Sequence, residues 1–312
     1  MEVLHLDFEK EISFKEPISA CIGYFDGLHK GHQALVNKAK EMALKTNSKS
    51  CLITFFPDPK DVITKTKHKH IQNFYQRLKI METLGLDYCI VCDFSENLCK
   101  LSKEEFFDKF LNVLNLKCLV CGFDFHYAYK GSGDYHSLIE ASKGKFDVEV
   151  IDSVNYLDEK ISSTRVREAI LNGDIELVNE LLGYDYFLNG VVVHGKAIGH
   201  KIGFPTANLL IDQETLILKE GVYIGYTKVD NIYYKSMVNI GRNQTIALNN
   251  QRTIEAHIVD YNGNLYGKEI IMYFNHKIRD GKKFDSLEEL KNQLTIDIEK
   301  ARAQDERKQF IL

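Results

Sequence analysis

From residue 18 to about 151 the chain alternates between two hydrophobic periods. The runs ISACIG, SCLITF, DYCIVCDF, KCLVCGF and FDVEVI are short and apolar and read as strands. Between them, HQALVNKAKEMALK, IQNFYQRLKIMETLG and KEEFFDKFLNVLN repeat apolar residues at helical spacing. Alternating strands and helices predict a parallel, doubly wound sheet whose ligands bind beyond the carboxyl ends of its strands. Residues 163–182 read as two short helices, STRVREAILNG and DIELVNELLG, split by Gly173.

From about residue 187 the pattern changes. FLNGVVVHG, VYIGYTKV, IYYKSMVNIG, TIEAHIVDY and KEIIMYF are short, β-rich and divided by Gly, Asn and Asp, as in a small antiparallel barrel. A terminal helix follows, with a capping box expected from Ser286 to Glu289 and an apolar face of Leu287, Leu290, Leu294 and Ile298. The change of pattern places a domain boundary near Gly183, giving domains 1–182 and 183–312.

A length of 312 residues supports two domains, and 44% hydrophobic with 27% charged residues is ordinary globular composition. A formal net charge of −4 argues against a general nucleic-acid binder. No apolar run reaches the ~18 residues a membrane helix needs. The start MEVLHLDFEK carries acids where a signal peptide has a basic region and an apolar stretch, so a cytoplasmic protein is expected. The 7 cysteines include two CxxC pairs, Cys89–Cys92 and Cys118–Cys121, inside strand-like runs. Residues three apart in a strand face opposite sides, so neither pair can chelate one ion, and both read as buried, reduced thiols.

The sharpest motif follows the first of these strands: Gly23-Tyr24-Phe25-Asp26-Gly27-Leu28-His29-Lys30-Gly31-His32. Glycines let backbone approach phosphates closely, and the helix that starts there offers free N–H groups to an anion. His29 and His32 can both face that anion. Nucleotidyl transfer at such a site needs no covalent nucleophile, only positioning and stabilisation of the leaving pyrophosphate. A bare HxxH is more often two surface histidines; the full string after a strand is far more specific. A second string, Ile161-Ser162-Ser163-Thr164-Arg165-Val166-Arg167, brings hydroxyls and guanidinium groups to a helix start. Together the two strings resemble the signature of the adenylyltransferase superfamily that makes dinucleotide cofactors and coenzyme A precursors. That resemblance implies an ATP site of Gly23, Phe25, Asp26, Gly27, His29, His32, Ser163, Thr164, Arg165 and Arg167, with the two histidines catalytic.

Thr54-Phe55-Phe56-Pro57-Asp58-Pro59 and Gly122-Phe123-Asp124-Phe125 follow two further strands. They look like the TFxPHP and GxDF segments of the bifunctional riboflavin kinase/FAD synthetase family, prokaryotic type, and imply FMN contacts from Phe56, Pro57, Asp58 and Asp124. Two residues depart from that pattern: Asp58 stands where the family usually has His, and His126 where it often has Arg. An acid beside a phosphate-bearing substrate is unhelpful, so a weakened adenylylating site is expected. The basic run Lys65 to His70 reads as a mobile, solvated loop.

The second domain carries its own signature. Gly190-Val191-Val192-Val193-His194-Gly195 precedes Gly199-His200-Lys201-Ile202-Gly203-Phe204-Pro205-Thr206-Ala207-Asn208, where a Thr hydroxyl and an Asn carbonyl can meet a metal and phosphate oxygens. No GxxxxGK[ST] phosphate loop occurs. GxxxGxPTAN resembles the riboflavin kinase signature, which implies Gly195, Lys201, Gly203, Pro205, Thr206 and Asn208 at ATP, with Thr206 and Asn208 also at Mg²⁺. It further implies Glu255, in the alternating run TIEAHI, as general base toward the riboflavin 5′-hydroxyl, and Arg279 with Phe284 at the flavin ring. Gln244-Thr245 replaces the usual Pro-Thr after VNIG.

The resemblance, over residues from about 18 to 303, implies a Rossmann-like nucleotidyltransferase domain and a six-stranded antiparallel β-barrel kinase domain with a terminal helix. The implied activity is phosphorylation of riboflavin to FMN and adenylylation of FMN to FAD. Riboflavin, FMN, FAD and ATP are the implied partners and Mg²⁺ the cofactor; neither nucleic acid nor membrane is expected, and a weak homo-oligomer is left open. Two rivals stand beside it. One is a single-activity adenylyltransferase whose barrel only senses flavin, against which the intact PTAN and the downstream Glu weigh. The other is a non-enzymatic interaction module using the barrel as a nucleic-acid platform, against which the negative charge and the Trp count of 0 weigh.

Overall fold

In the computed structural model, which describes residues 1–10, 14–195, 203–242 and 252–304, the alternating segment forms a parallel sheet. In chain order it runs β1 (Glu2–Leu6), β2 (Phe14–Ile22), α1 (Lys30–Lys45), β3 (Lys49–Phe56), α2 (Pro59–Thr64), α3 (Phe74–Thr83) and β4 (Tyr88–Asp93). Then come α4 (Glu96–Cys99), α5 (Lys103–Phe106), β5 (Leu114–Gly122), a hairpin of β6 (His126–Tyr127) and β7 (Gly133–Asp134), and α6 (Tyr135–Ser142). β8 (Asp147–Ile151) and a second hairpin, β9 (Asn155–Tyr156) with β10 (Glu159–Lys160), complete this part. The strand order is β1-β4-β3-β2-β5-β8, parallel throughout. The chain winds one way from β2 through β3 to β4 and the other way from β5 to β8, so the switch point lies between β2 and β5.

Three local expectations change. β1 was not legible, because EVLHL is a half-buried edge strand that pairs only with β4, from Glu2 opposite Tyr88 to Leu6 opposite Cys92. Helix α3 begins at Phe74 rather than Ile71, because Asn73 and Gln76 form a reciprocal capping box. KEEFFDKFLNVLN is α-helical only to Phe106. It continues as a π turn over Phe107–Leu111, which turns the adjacent pairs Phe106/Phe107 and Phe110/Leu111 all into the core, and Leu114 already belongs to β5.

The strand thiols are core residues. Cys51, Cys92 and Cys121 join the cluster that holds Ile53, Ile90, Phe110 and Leu119, while the Cys89 thiol points elsewhere and sits 3.9 Å from the Met81 sulfur. Burial pushes Cys89, Cys92, Cys118 and Cys121 up to about 12 and Cys21 and Cys51 further still. Since the thiolate is the reactive form, six of the seven cysteines are expected to be inert in the native protein. Titration with a chromogenic disulfide should count one rapidly reacting thiol, the half-buried Cys99, and all seven after denaturation.

Contacts divide the chain between Ser163 and Thr164. Helices α7 (Ser163–Asn172) and α8 (Ile175–Leu182) therefore pack with the second unit: the Lys219 N–H donates to Ile170 O at 3.2 Å and Asn179 Nδ2 to Phe274 O at 2.8 Å. Gly183 ends α8 with φ of 79°, a left-handed cap that suits glycine. Strands β11 (Phe187–Val193), β12 (Ala207–Leu210), β13 (Gly221–Val229), β14 (Ile232–Arg242), β15 (Arg252–Ile258) and β16 (Glu269–Arg279) close into an antiparallel barrel. Its order is β11-β12-β15-β14-β13-β16.

The terminal helix α9 (Leu287–Ala303) is capped by Ser286, whose hydroxyl accepts the Glu289 N–H at 3.1 Å. The Glu289 carboxylate turns to Lys282 and the Asp285 N–H, so the cap is not reciprocal. The expected apolar face is also displaced: Leu287 is 62% exposed, and packing rests on Leu294, Ile298 and Ala301 against Val222, Ile224 and Met237. No helix among the described residues is long and apolar enough to cross a membrane.

Candidate active sites

The string Gly23–His32 leaves β2 through a turn with three positive φ values, Phe25 (60°), Gly27 (80°) and Leu28 (42°). Only glycine adopts that region freely, and a Cβ on Gly27 would also come within 2.9 Å of Ile71 Cδ1. The turn is fixed from outside by Asp26, which is buried and does not line the cavity. Its carboxylate accepts the Ile71 N–H at 3.0 Å and its carbonyl accepts the Ser163 hydroxyl at 2.9 Å. This bond joins the two sequence strings in space.

His29 caps α1, its Nδ1 accepting the His32 N–H at 3.3 Å. An accepting Nδ1 leaves the ring proton on Nε2, where it can be donated to a phosphate oxygen. The His29 and His32 rings stack with centroids 3.7 Å apart. A Cβ on Gly31 would come within 3.2 Å of the His29 ring, so glycine keeps that approach open. Both rings border a cavity of about 210 Å³ at the β2/β5 switch point, with Gly122, Asp124, Lys160 and Ser163 on its other walls.

Burial, with a smaller contribution in the same direction from the Lys160 charge, holds His29 down at about 4, and burial holds His32 well below the ordinary imidazole range. Both are therefore neutral donors at neutral pH. A histidine depressed in the folded state binds protons more readily when unfolded. Its stabilising contribution is complete above the unfolded value of about 6.5 and is lost as pH falls through that window toward about 4. The thermal midpoint should accordingly drop between about pH 7 and about pH 5, and less steeply in His29→Gln.

Lys160 was missed in the sequence, although it stands immediately before the ISSTRVR string. Its ammonium contacts the Asp124 carboxylate and lies 4.5 Å from the Phe123 ring centre. Among the other predicted residues, Thr164 is exposed and Arg165 and Arg167 are half-buried on the first turns of α7. Gly23 packs against the Phe25 ring. Phe56 is exposed and lies 4.3 Å, centroid to centroid, from Phe74, and Pro57 follows it directly into Asp58. His126 is exposed on β6.

Asp58, expected as an unhelpful charge beside a substrate phosphate, has close partners of its own. It is 5% exposed, caps α2 by accepting the Lys60 N–H at 2.8 Å, and pairs with His70 at 3.4 Å. The Lys65–His70 run is likewise not a wholly solvated loop: Lys65 and Lys67 are exposed, but His68 bonds Asp61 at 2.7 Å and His70 is buried. Asp58, Asp61 and His70 each bring one donor atom within 4.8 Å of the others, a group that could coordinate a divalent metal.

In the barrel, closure creates the second site. Asn208 on β12 and Asn239 on β14 both pair with Glu255 on β15, so the three side chains form a half-buried row on one face of neighbouring strands. A Cβ on Gly195 would sit 2.1 Å from Asn208 Nδ2, so that amide rests directly on the glycine backbone. Thr206 is half-buried two residues before Asn208, and the Pro205 carbonyl accepts His257 Nδ1–H at 2.8 Å. Gly203 has φ of 86°. Lys201 lies outside the described residues. Arg279, expected at flavin, is paired through Nε and a terminal nitrogen (2.8 Å each) with Asp297 of α9, which is 0% exposed, and lies 5.8 Å from the Phe284 ring.

A helix start ready for phosphate at the switch point of a doubly wound sheet, in one chain with a closed antiparallel barrel, defines a two-domain transferase. Residues 11–165 match the family model for FAD synthetase, and residues 182–304 that for riboflavin kinase. The bifunctional riboflavin kinase/FMN adenylyltransferase of Listeria monocytogenes is 35% identical over 285 residues, 91% of each chain. That of Bacillus subtilis is 33% identical over 96% of this chain and 97% of its own. A crystal structure from Streptococcus pneumoniae, described as a macrolide-efflux protein, superposes with a TM-score of 0.89 at 32% identity, covering 97% of this chain and 99% of that one. The chain belongs to the prokaryotic bifunctional riboflavin kinase/FMN adenylyltransferase (FAD synthetase) family.

Proposed function

We infer that the chain phosphorylates riboflavin to FMN at the barrel and adenylylates FMN to FAD at the parallel sheet, releasing pyrophosphate. The observation that carries this is that each signature, scattered in sequence, meets in space. His29 and His32 share a cavity with Lys160 and Ser163, and Asn208 stands beside Glu255.

At the first site the neutral His29 Nε2–H and the Lys160 ammonium act on ATP phosphates, with Thr164, Arg165 and Arg167 as further ligands. The FMN phosphate attacks the α-phosphorus as charge builds on the leaving pyrophosphate. Preorganised donors stabilise that charge without reorganising at the moment of reaction. Phe56, Pro57 and Asp124 are the proposed FMN contacts.

At the second site Glu255 accepts the proton of the riboflavin 5′-hydroxyl as it attacks the γ-phosphorus. Gly195, Lys201, Gly203 and Pro205 surround the ATP phosphates, and Phe284, with Arg279 held by Asp297, faces the flavin. The hydroxyl of Thr206 and the amide oxygen of Asn208 suit a hard cation; Mg²⁺ held there would neutralise phosphate charge during transfer. We place the functional division at Gly183, with residues 1–182 adenylylating and 183–312 phosphorylating. The cytoplasmic reading is supported by free cysteines in the core.

Purified protein incubated with riboflavin, ATP and Mg²⁺, followed by chromatography, should show FMN rising first and FAD after it. Conversion of supplied FMN to FAD with no phosphorylation of riboflavin would replace this reading with a flavin-sensing barrel on a single-activity adenylyltransferase.

A further inference from the structure

The segment after α2 returns to the signature turn and grips it at two points. One is the Ile71 N–H on the Asp26 carboxylate; the other is His70, whose Nδ1 lies 3.3 Å from the Tyr24 hydroxyl and 3.4 Å from Asp58 Oδ2. Tyr24 is held from its other side as well. The Arg77 guanidinium lies 4.1 Å from its ring centre and donates to its carbonyl at 2.5 Å, and Thr54 Oγ1 donates to the same carbonyl at 3.1 Å. Burial, with Asp58 adding, holds the Tyr24 phenol far above its ordinary range, so it stays a neutral O–H.

A buried carboxylate is tolerated only when it is paired and hydrogen-bonded. Asp58 meets that condition through Lys60 N–H and His70, and His70 and Asp58 are each only 5% exposed. Neither side chain is among those lining the cavity that His29 and His32 border. What they touch is Tyr24, one residue from Phe25 at the start of the positive-φ turn that delivers His29 and His32.

We propose that His70, paired with Asp58 and bonded to Tyr24, is a positioning residue of the adenylyl-transfer site, setting the turn that places His29 and His32. This rests on the adenylyltransferase reading above. Asp58 then serves the site through His70, rather than opposing a substrate phosphate.

The test measures FMN-to-FAD kinetics with supplied FMN for wild type, His70→Gln, Asp58→Asn, the double variant and Tyr24→Phe. A misplacement of about 1 Å at a reacting centre costs ~10²-fold, so each single change at position 58 or 70 should lower kcat on that scale. KM for ATP and for FMN should move less than about threefold, the pattern of an interaction that matters in the transition state. The double variant should be no slower than the slower single, because the two residues act as one unit. Tyr24→Phe keeps the ring under Arg77 and removes only the hydroxyl; it should lower kcat in the same direction, and it carries the test if His70→Gln does not fold. Asp58→His should also lower FAD formation.

An unchanged kcat in folded His70→Gln, or rate losses that multiply in the double variant, would overturn the proposal. A raised KM with kcat held would make His70 a substrate ligand instead. Stoichiometric divalent metal in wild type that is lost from both single variants would make the cluster a metal site. If wild type itself makes no FAD from FMN, it is the adenylyltransferase reading that fails.

Discussion

Glu255→Gln is expected to lower riboflavin phosphorylation by ~10²–10⁴-fold, the usual worth of a positioned general base. The substitution keeps the side-chain shape on β15 and the barrel register that sets it opposite Asn208 and Asn239. What it removes is the proposed acceptor of the 5′-hydroxyl proton. KM for ATP should change little, and supplied FMN should still become FAD at the wild-type rate. Loss of both activities in folded protein would contradict two separate sites. An undiminished phosphorylation rate would move the base elsewhere on the barrel.

The complementary result is expected at the other site. His32→Ala should cost FMN adenylylation ~10²–10³-fold, the range for removing one preorganised donor. Two contributions act together. The imidazole bordering the cavity is lost, and His29 loses the ring stacked 3.7 Å from its own. The backbone N–H of residue 32 remains, so the cap on α1 survives and the helix should not fray. Riboflavin phosphorylation in the same preparation should be intact. The two variants fail in opposite directions, so general misfolding cannot imitate the pair. Product analysis from riboflavin sharpens the contrast: His32→Ala should accumulate FMN, and Glu255→Gln should accumulate neither FMN nor FAD.

Much of this architecture is legible in the sequence, for a definite reason. Strands such as SCLITF and helices such as HQALVNKAKEMALK carry strong, unmixed periods, and burial of one face or both is what those periods record. The signature strings were legible because tight phosphate-facing turns demand glycine, and few other arrangements use GxFDGxHxGH. Edge strand β1 and the π turn over Phe107–Leu111 were not. The first is stabilised by pairing with β4 more than by its own pattern, and the second by a local crowding of aromatic side chains.

By itself, then, the sequence determined most of the order of elements and the two chemistries, because these depend on local period and on residue type at fixed spacing. Tertiary structure alone decided which distant groups meet. Closure of the barrel is what puts Glu255 between Asn208 and Asn239, since strand register is a property of the pairing and not of either strand. Return of residues 65–71 to the signature turn is what turns Asp58 from an apparent liability into one half of a buried pair with His70. The sign of an isolated charge could be read along the chain; its partner, and with it the meaning of the charge, could be read only in space.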